Sequence, residues 1–394
     1  MQFQTVPVNE WACTANEVVE DVVNRLVRGF DSVARPFGLA VRRSNYDDLS
    51  FAFAGGDGDC LRKAHYDKSL RLLWKAEQHA PFTSFRDCSA DERHLMQMAE
   101  EAMDADLKAE LRRVRSADFR AELDRHYTPE QKQAIVNILA TIAHGEAYAW
   151  MVSADLLAHV KSTGGRAAMT MQVLEEAKHF VVLREIILAF GCEVPRMNVW
   201  EYIALENILQ AEGLEKFFGM NVIVEGIALG IFGTMASFPA LGVLRLFHLD
   251  ESRHTALPHN YFHDFPMTEW QKRNPVATVR RALLVVPAIP FLFRLEKDFA
   301  TVGIDVFEFA GSVLRKVLHL SKRVGFHLPV SEPVALEQIN ALFNLYCSLT
   351  RAGHQPRDFT AAEATLGEAE LAVERDALGF QPVAPAPEAA VALH

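Results

Sequence analysis

Apolar residues recur along this chain at the three-to-four spacing of helices, and no convincing set of strands or repeat of solenoid period interrupts them. The pattern predicts a helix over residues 18–33 and a charge-rich one over 90–123. Thr128-Pro129-Glu130-Gln131 then reads as a helix opening, with threonine as cap and proline in the first turn. A helix from there to about residue 160 is expected, broken by Ser162-Thr163-Gly164-Gly165 and followed by a second over 167–190 that Gly191 ends. A crossover over 198–211, a third helix over 214–237 after Gly213, a turn at Pro239 and a fourth helix over 241–256 complete this stretch. Further helices are expected over 276–300, 306–325, 333–351 and 361–378, with breaks at Pro329, Gly353 and Pro356. The expected fold class is all-α, and the Ala/Pro-rich end, residues 381–394, is expected to be disordered.

Composition sets the limits. With 394 residues, half of them hydrophobic, the chain can bury a large core. A net charge of -11 with no concentrated basic face argues against nucleic acid as a partner. Cys13, Cys60, Cys88, Cys192 and Cys347 are odd in number and widely spaced, which supports neither a disulfide framework nor a zinc-thiolate site. Together with an N-terminus, MQFQTVPVNEW, that lacks the basic and apolar regions of a signal peptide, they point to the cytoplasm. Residues 226–244 are uncharged and long enough to cross a bilayer. Their glycines, Pro239 and the abutting Glu225 favour a buried helix hairpin instead, so no membrane span is expected. A shorter apolar run, 282–293, is core or the wall of an apolar tunnel.

The chemistry lies in two pentapeptides of one pattern, acid-Glu-x-base-His: Glu175-Glu176-Ala177-Lys178-His179 and Asp250-Glu251-Ser252-Arg253-His254. Residues three apart on a helix project from the same side, so Glu176 with His179, and Glu251 with His254, can each offer an oxygen and a nitrogen to one metal. Each motif trails an isolated glutamate. Apart from His144, Glu146 is the one acid or base between Gln133 and Ala154, and Glu225 is the one charged residue between Phe217 and Leu244. A lone buried carboxylate is costly, and a bound cation is its natural partner. The turn signal midway between Glu146 and Glu176, and between Glu225 and Glu251, folds each pair back to one level of adjacent antiparallel helices. The candidate metal ligands are therefore Glu146, Glu176, His179, Glu225, Glu251 and His254.

The flanks fit a surrounding layer. A metal-bound histidine donates its other ring nitrogen to an orienting acceptor, and Glu175 and Asp250 are placed to serve the histidine of the opposite motif, with Lys178 and Arg253 pairing with those acids. Asp91-Glu92-Arg93-His94 looks similar but lies in a charged segment and reads as a solvated helix start. Glu212 and Glu215 compete with Glu225, but sit among polar residues at a helix start. His144 points to the other side of its helix and reads as structural. His248, three residues before Glu251, is either an extra ligand or a histidine bonded to backbone. Tyr148, Trp150, Phe217, Phe218 and Phe232 read as core rather than substrate contacts. One turn from Glu225 stand Asn221, Val222, Ala228 and Leu229, which suit an apolar or aromatic substrate, with Asn221 free to hold a water or orient that substrate.

From Pro129 to Ala256 the chain resembles the ferritin-like di-iron carboxylate superfamily, in its oxygen-activating branch of ribonucleotide reductase small subunits, bacterial multicomponent monooxygenases and acyl carrier protein desaturases. The resemblance is carried by Glu146, Glu176-x-x-His179, Glu225 and Glu251-x-x-His254. It implies a ferritin-like four-helix bundle over residues 129–260, an N-terminal helical extension over 1–128 and C-terminal helices over 261–380. It also implies two iron ions, with manganese in one position as the alternative, and O2 activation that oxidises a small-molecule or acyl substrate. Homodimerisation is expected by the same likeness. Val182 and Leu183 stand where reductase subunits place a radical tyrosine, and Ala228 and Leu229 where many monooxygenases and desaturases carry a threonine. Arylamine N-oxygenases of the superfamily add a histidine four residues before the last glutamate, whereas His248 lies three before. No flavin or nicotinamide fingerprint appears, so electrons are expected from a separate reductase or ferredoxin. The competing expectation is a ferroxidase or metal-storage protein with no organic substrate.

Overall fold

The computed structural model describes residues 3–44, 113, 114, 116–161, 163–258, 270, 273–323, 328 and 330–361. Among them all regular structure is helical: α1 (Glu10–Ala34), α2 (Ala117–His126), α3 (Pro129–His159), α4 (Thr163–Ala189), α5 (Val199–Gln210), α6 (Gly213–Met235), α7 (Leu244–His254), α8 (Pro275–Val285), α9 (Ala288–Thr301), α10 (Val306–Arg323) and α11 (Glu332–Thr350). Cys60, Cys88, the segment Asp91 to His94, most of the helix expected over 90–123, the helix expected over 361–378 and the 381–394 tail lie outside the described residues.

The opening of α3 follows the sequence closely. Thr128 accepts from the Gln131 backbone while the Gln131 side chain accepts from the Thr128 N–H, so two end groups are satisfied reciprocally. The break after α3 is tighter than expected, because Thr163, Gly164 and Gly165 already belong to α4. At the other end of α4, Gly191 adopts φ 67°, a left-handed conformation that stops the helix. α3 and α4 pack along their lengths as one hairpin, and α6 and α7 form a second.

Two segments depart from the expectation. The crossover over 198–211 is itself helical: in α5, Asn198 caps the start and Glu201 returns the bond. The helix expected over 276–300 divides into α8 and α9 beside Pro287. α6 carries a wide π turn, Gly219–Val224, immediately before Glu225. Gly219 is required there by close approach, since a Cβ would come within 2.8 Å of Ile208 on α5. Gly230 plays the same part against α10, where a Cβ would meet Val313 at 2.9 Å.

One apolar core runs continuously from Val114 and α2 to Phe359, so the helices flanking α3–α7 share its packing. α9, α10 and the end of α11 are pinned by buried ion pairs in which Arg351 meets Glu296 at 3.1 Å and Asp305 at 2.6 Å. Two stretches among the described residues are long and apolar enough to cross a membrane. In Gly213–Met235 the apolar window is 83 % buried inside the protein, whereas in Pro275–Thr301 it is 18 % buried.

Candidate metal centre

Four helices bring six buried side chains to one point: Glu146 from α3, Glu176 and His179 from α4, Glu225 from α6, and Glu251 and His254 from α7. They form two donor sets, Glu146, Glu176, His179, Glu251 and Glu176, Glu225, Glu251, His254. Within each set the donor atoms lie within 4.8 Å of one another. Glu176 and Glu251 belong to both sets, while Glu146 and Glu225 each belong to one.

The ring nitrogens define what the centre can hold. His179 Nε2 lies 3.0 Å from Asp250 Oδ2, and His254 Nε2 lies 2.8 Å from Glu175 Oε2. Each imidazole thus donates to an acid of the opposite motif, which leaves the Nδ1 lone pair facing inward in the neutral tautomer. His179 Nδ1 faces Glu251 Oε1 at 2.9 Å, Glu146 Oε2 at 3.4 Å and Glu176 Oε2 at 3.7 Å. None of these approaches has hydrogen-bond geometry, and all four atoms are buried with no hydrogen-bond partner. His254 Nδ1 differs: it is in hydrogen-bond geometry with Glu251 Oε2 at 3.0 Å and lies 3.2 Å from Glu176 Oε1. Lone pairs converging on lone pairs require a proton or a cation between them. Buried Glu/His groups that could hold a metal ion are thus present.

The titration behaviour of the cation-free site states the same conflict. Burial first, then neighbouring carboxylates, push Glu146 and Glu225 well above the ordinary carboxylate range. Burial opposes charge on both imidazoles, but Glu251 beside His179 and Glu176 beside His254 overcome it and raise them well above the ordinary value. Burial likewise opposes ionisation of Asp250, yet Lys178 and Arg253 hold it well below its usual range. Lys178 Nζ lies 2.5 Å from Asp250 Oδ2, and Arg253 bonds both Asp250 and Glu175, the latter at 2.7 Å. The outer layer is therefore two ionised acids between two cations, and it grips both imidazoles.

Gln172 is the residue that the sequence reading missed. It sits one turn before Glu176 on α4, so the four-residue spacing on a ligand-bearing face was its available signal. Its amide donates to Glu225 Oε1 at 2.7 Å and to Glu176 Oε1 at 3.0 Å. Asn221, from the π turn, donates to Gln172 Oε1 at 2.8 Å and to the His254 carbonyl at 3.1 Å. Asn221 therefore orients Gln172 through its amide nitrogen, while its Oδ1 is buried with no hydrogen-bond partner.

A narrow apolar cavity of about 80 Å³ reaches the centre and touches Glu146 and Glu225. α5 supplies one wall through Ala204, Leu205 and Ile208, Ala228 lies beside Glu225, and Leu284, Pro287 and Phe291 close the far side. A larger polar cavity of about 280 Å³ adjoins it at Thr141, Glu201 and Phe291. Glu20, Glu193, Arg196, Arg294 and Asp298 line this second space, where burial pushes the Asp298 carboxyl up to about 6.

The remaining candidates separate cleanly. His248 Nδ1 bonds the Leu229 carbonyl at 3.0 Å and belongs to neither donor set, as the backbone-bonded alternative describes. His144 Nε2 approaches the Pro195 carbonyl at 3.2 Å. Glu215 pairs with the buried Arg281 at 3.2 Å, away from the donor sets. Phe217, Phe218 and Phe232 are buried in the core, and Phe247 stacks on the His179 ring at 4.7 Å. Tyr148 is buried too, its hydroxyl 2.8 Å from Glu206. Trp150 differs from expectation: it is 40 % exposed on the outer side of α3, because Glu146 and Ala149 take the inner side. Compared with known protein families, with characterised proteins and with solved structures, the chain matches none.

Proposed function

We propose that this chain is a non-haem di-iron oxidoreductase of ferritin-like type that uses O2 to hydroxylate, N-oxygenate or desaturate an apolar or aromatic small molecule or an acyl chain. The observation that carries this reading is the apolar cavity ending on Glu146 and Glu225, the two carboxylates that each belong to one donor set. Glu146, Glu176, His179, Glu225, Glu251 and His254 would hold two iron ions, or one manganese and one iron. When bound, the metals would supply reduction of O2. The protein's own part is to hold both imidazoles as neutral donors through Glu175 and Asp250, to exclude water with apolar walls, and to admit substrate beside Glu225. Electrons would come from an external reductase or ferredoxin.

A ferroxidase is the second reading, and the acid-lined cavity that meets the apolar one at Glu201 favours it as an entry path for iron. Anaerobic loading with ferrous iron, followed by admission of O2, tests both readings. About two irons per chain and a visible absorption transient that decays faster with apolar organic compounds support the oxygenase. A transient indifferent to every such compound, with ferric iron accumulating beyond two per chain, supports the ferroxidase. Failure to retain about one iron per chain removes both. Glu225→Ala should abolish loading of at least one metal.

A further inference from the structure

α1 is held from one side and bare on the other. Asn16 donates to the Phe293 carbonyl and to the Tyr346 hydroxyl, Glu20 pairs with Arg294 at 3.0 Å, and Asp31 accepts from the backbone of Val41 and Arg42. The opposite side is an unbroken apolar stripe in which Trp11, Leu26 and Val33 are 78 %, 67 % and 70 % exposed, with Val18 and Val22 between them. Apolar residues at this helical spacing form a stripe that is normally covered.

We propose that this stripe is covered by α1 of a second copy of the chain, the two helices packing antiparallel about a two-fold axis beside Val22. Charge along the helix selects that partner. The first half carries Glu10, Glu17, Glu20 and Asp21, of which Glu10 pairs with Lys297 and both Glu17 and Glu20 with Arg294 inside the chain, and the second half carries Arg25 and Arg28 beside Asp31, which is bonded to the backbone of Val41 and Arg42. A parallel pair would set like charges level, whereas the antiparallel pair sets unlike charges level. With Val22 on the axis, Trp11 meets Val33 and Val18 meets Leu26. On the same flank, Asp21 comes within about 3 Å of the level of Arg25, at the helical rise per residue. Asp21, Arg25 and Arg28 are exposed in the single chain. The stripe continues beyond Val33 through Phe37, which is 75 % exposed. A membrane surface is the weaker occupant, since such helices carry basic polar faces, and α1 has five acids against two bases.

Sedimentation velocity of the full chain, from about 1 to 100 µM, tests the interface, because dimer population follows concentration. The expected result is a dimer that the double substitution Val22→Glu, Leu26→Glu converts to monomer with the near-ultraviolet circular dichroism of the parent, a rise of at least about a hundredfold in the dissociation constant. Asp21→Arg should weaken the dimer, and adding Arg25→Asp should restore it. A chain monomeric throughout that range overturns the proposal, as does a dimer indifferent to Val22→Glu, Leu26→Glu. Flotation of monomers with anionic phospholipid vesicles would give the face to a membrane and overturn it equally.

Discussion

Gln172 on α4 and Glu225 on α6 are joined by a hydrogen bond of 2.7 Å, and the same amide reaches Glu176 at 3.0 Å. One neutral side chain thus touches the carboxylate unique to the second donor set and a carboxylate shared by both. Replacing it by an apolar group of similar size leaves Glu225 without its donor. Gln172→Leu should weaken the second metal by about ten- to a hundredfold, the usual effect of losing an outer partner. Metal analysis against a competing chelator checks this, and equal retention of both metals would refute the positioning role.

The crossed bonds give a second expectation. Asp250 takes the His179 ring proton while Lys178 and Arg253 hold it ionised. Asp250→Asn keeps the shape but loses the charge and leaves the imidazole free to choose its other tautomer. Metal affinity should fall by about ten- to a hundredfold, read by titration calorimetry; an unchanged affinity would count against a ligand role for His179 Nδ1.

The cation-free protein should lose stability as pH rises. Glu146 and Glu225 keep their protons above the ordinary carboxylate value of 4.5, so the folded chain holds more protons than the unfolded one and stability falls as they ionise. His179 and His254, raised above 6.5, add stability that is complete below 6.5 and lost as pH climbs through their folded values. Both effects share a sign. Calorimetry of the metal-stripped chain should show a melting temperature that declines from pH 6.5 upward, and a metal-loaded chain should lack that decline. A rising or flat profile without metal would falsify the assignment of these four groups to one cluster.

Gly145 offers a way to fill the apolar cavity without touching a ligand. It lines that cavity on α3, and a Cβ built on it meets nothing within 4 Å. Gly145→Leu should fold and gain helix propensity of up to about 1 kcal/mol, while its side chain enters the space beside Glu146. Two metals should still load, and turnover of an apolar substrate should drop at least about tenfold, judged by the decay of the absorption transient. Undiminished turnover would place substrate elsewhere.

The doubled motif made the centre legible before any fold was known. A glutamate alone in an apolar helix and a Glu-x-x-His pair announce themselves through cost and period, and the turn signals between the helices, Ser162 to Gly165 and Pro239, supplied the pairing although Gly164 itself lies within α4. Helix type was legible for the same reason at the start of α3, where a capping box stands in the sequence. What remained hidden depends on partners distant in the chain. Gln172 carries no charge and looks like any polar helix residue until Asn221 and Glu225 arrive from α6. The stretch before Glu212 also opens on a capping box, Asn198 with Glu201, and is largely apolar; what the sequence does not show is its packing on α3 and α9, which makes it a cavity wall. Trp150 read as core by its chemistry, but its position on α3 turns it outward.

The exchange of acids between the two motifs has a consequence for biosynthesis. His179 is oriented by Asp250, and His254 by Glu175, so neither hairpin can finish its own ligands. A chain emerging from the ribosome presents Glu146, Glu176 and His179 many residues before Asp250 exists. Until the second hairpin docks, any captured ion would sit on ill-directed donors and exchange readily. Any metal held by the full set of donors would therefore mark a chain whose two hairpins have docked.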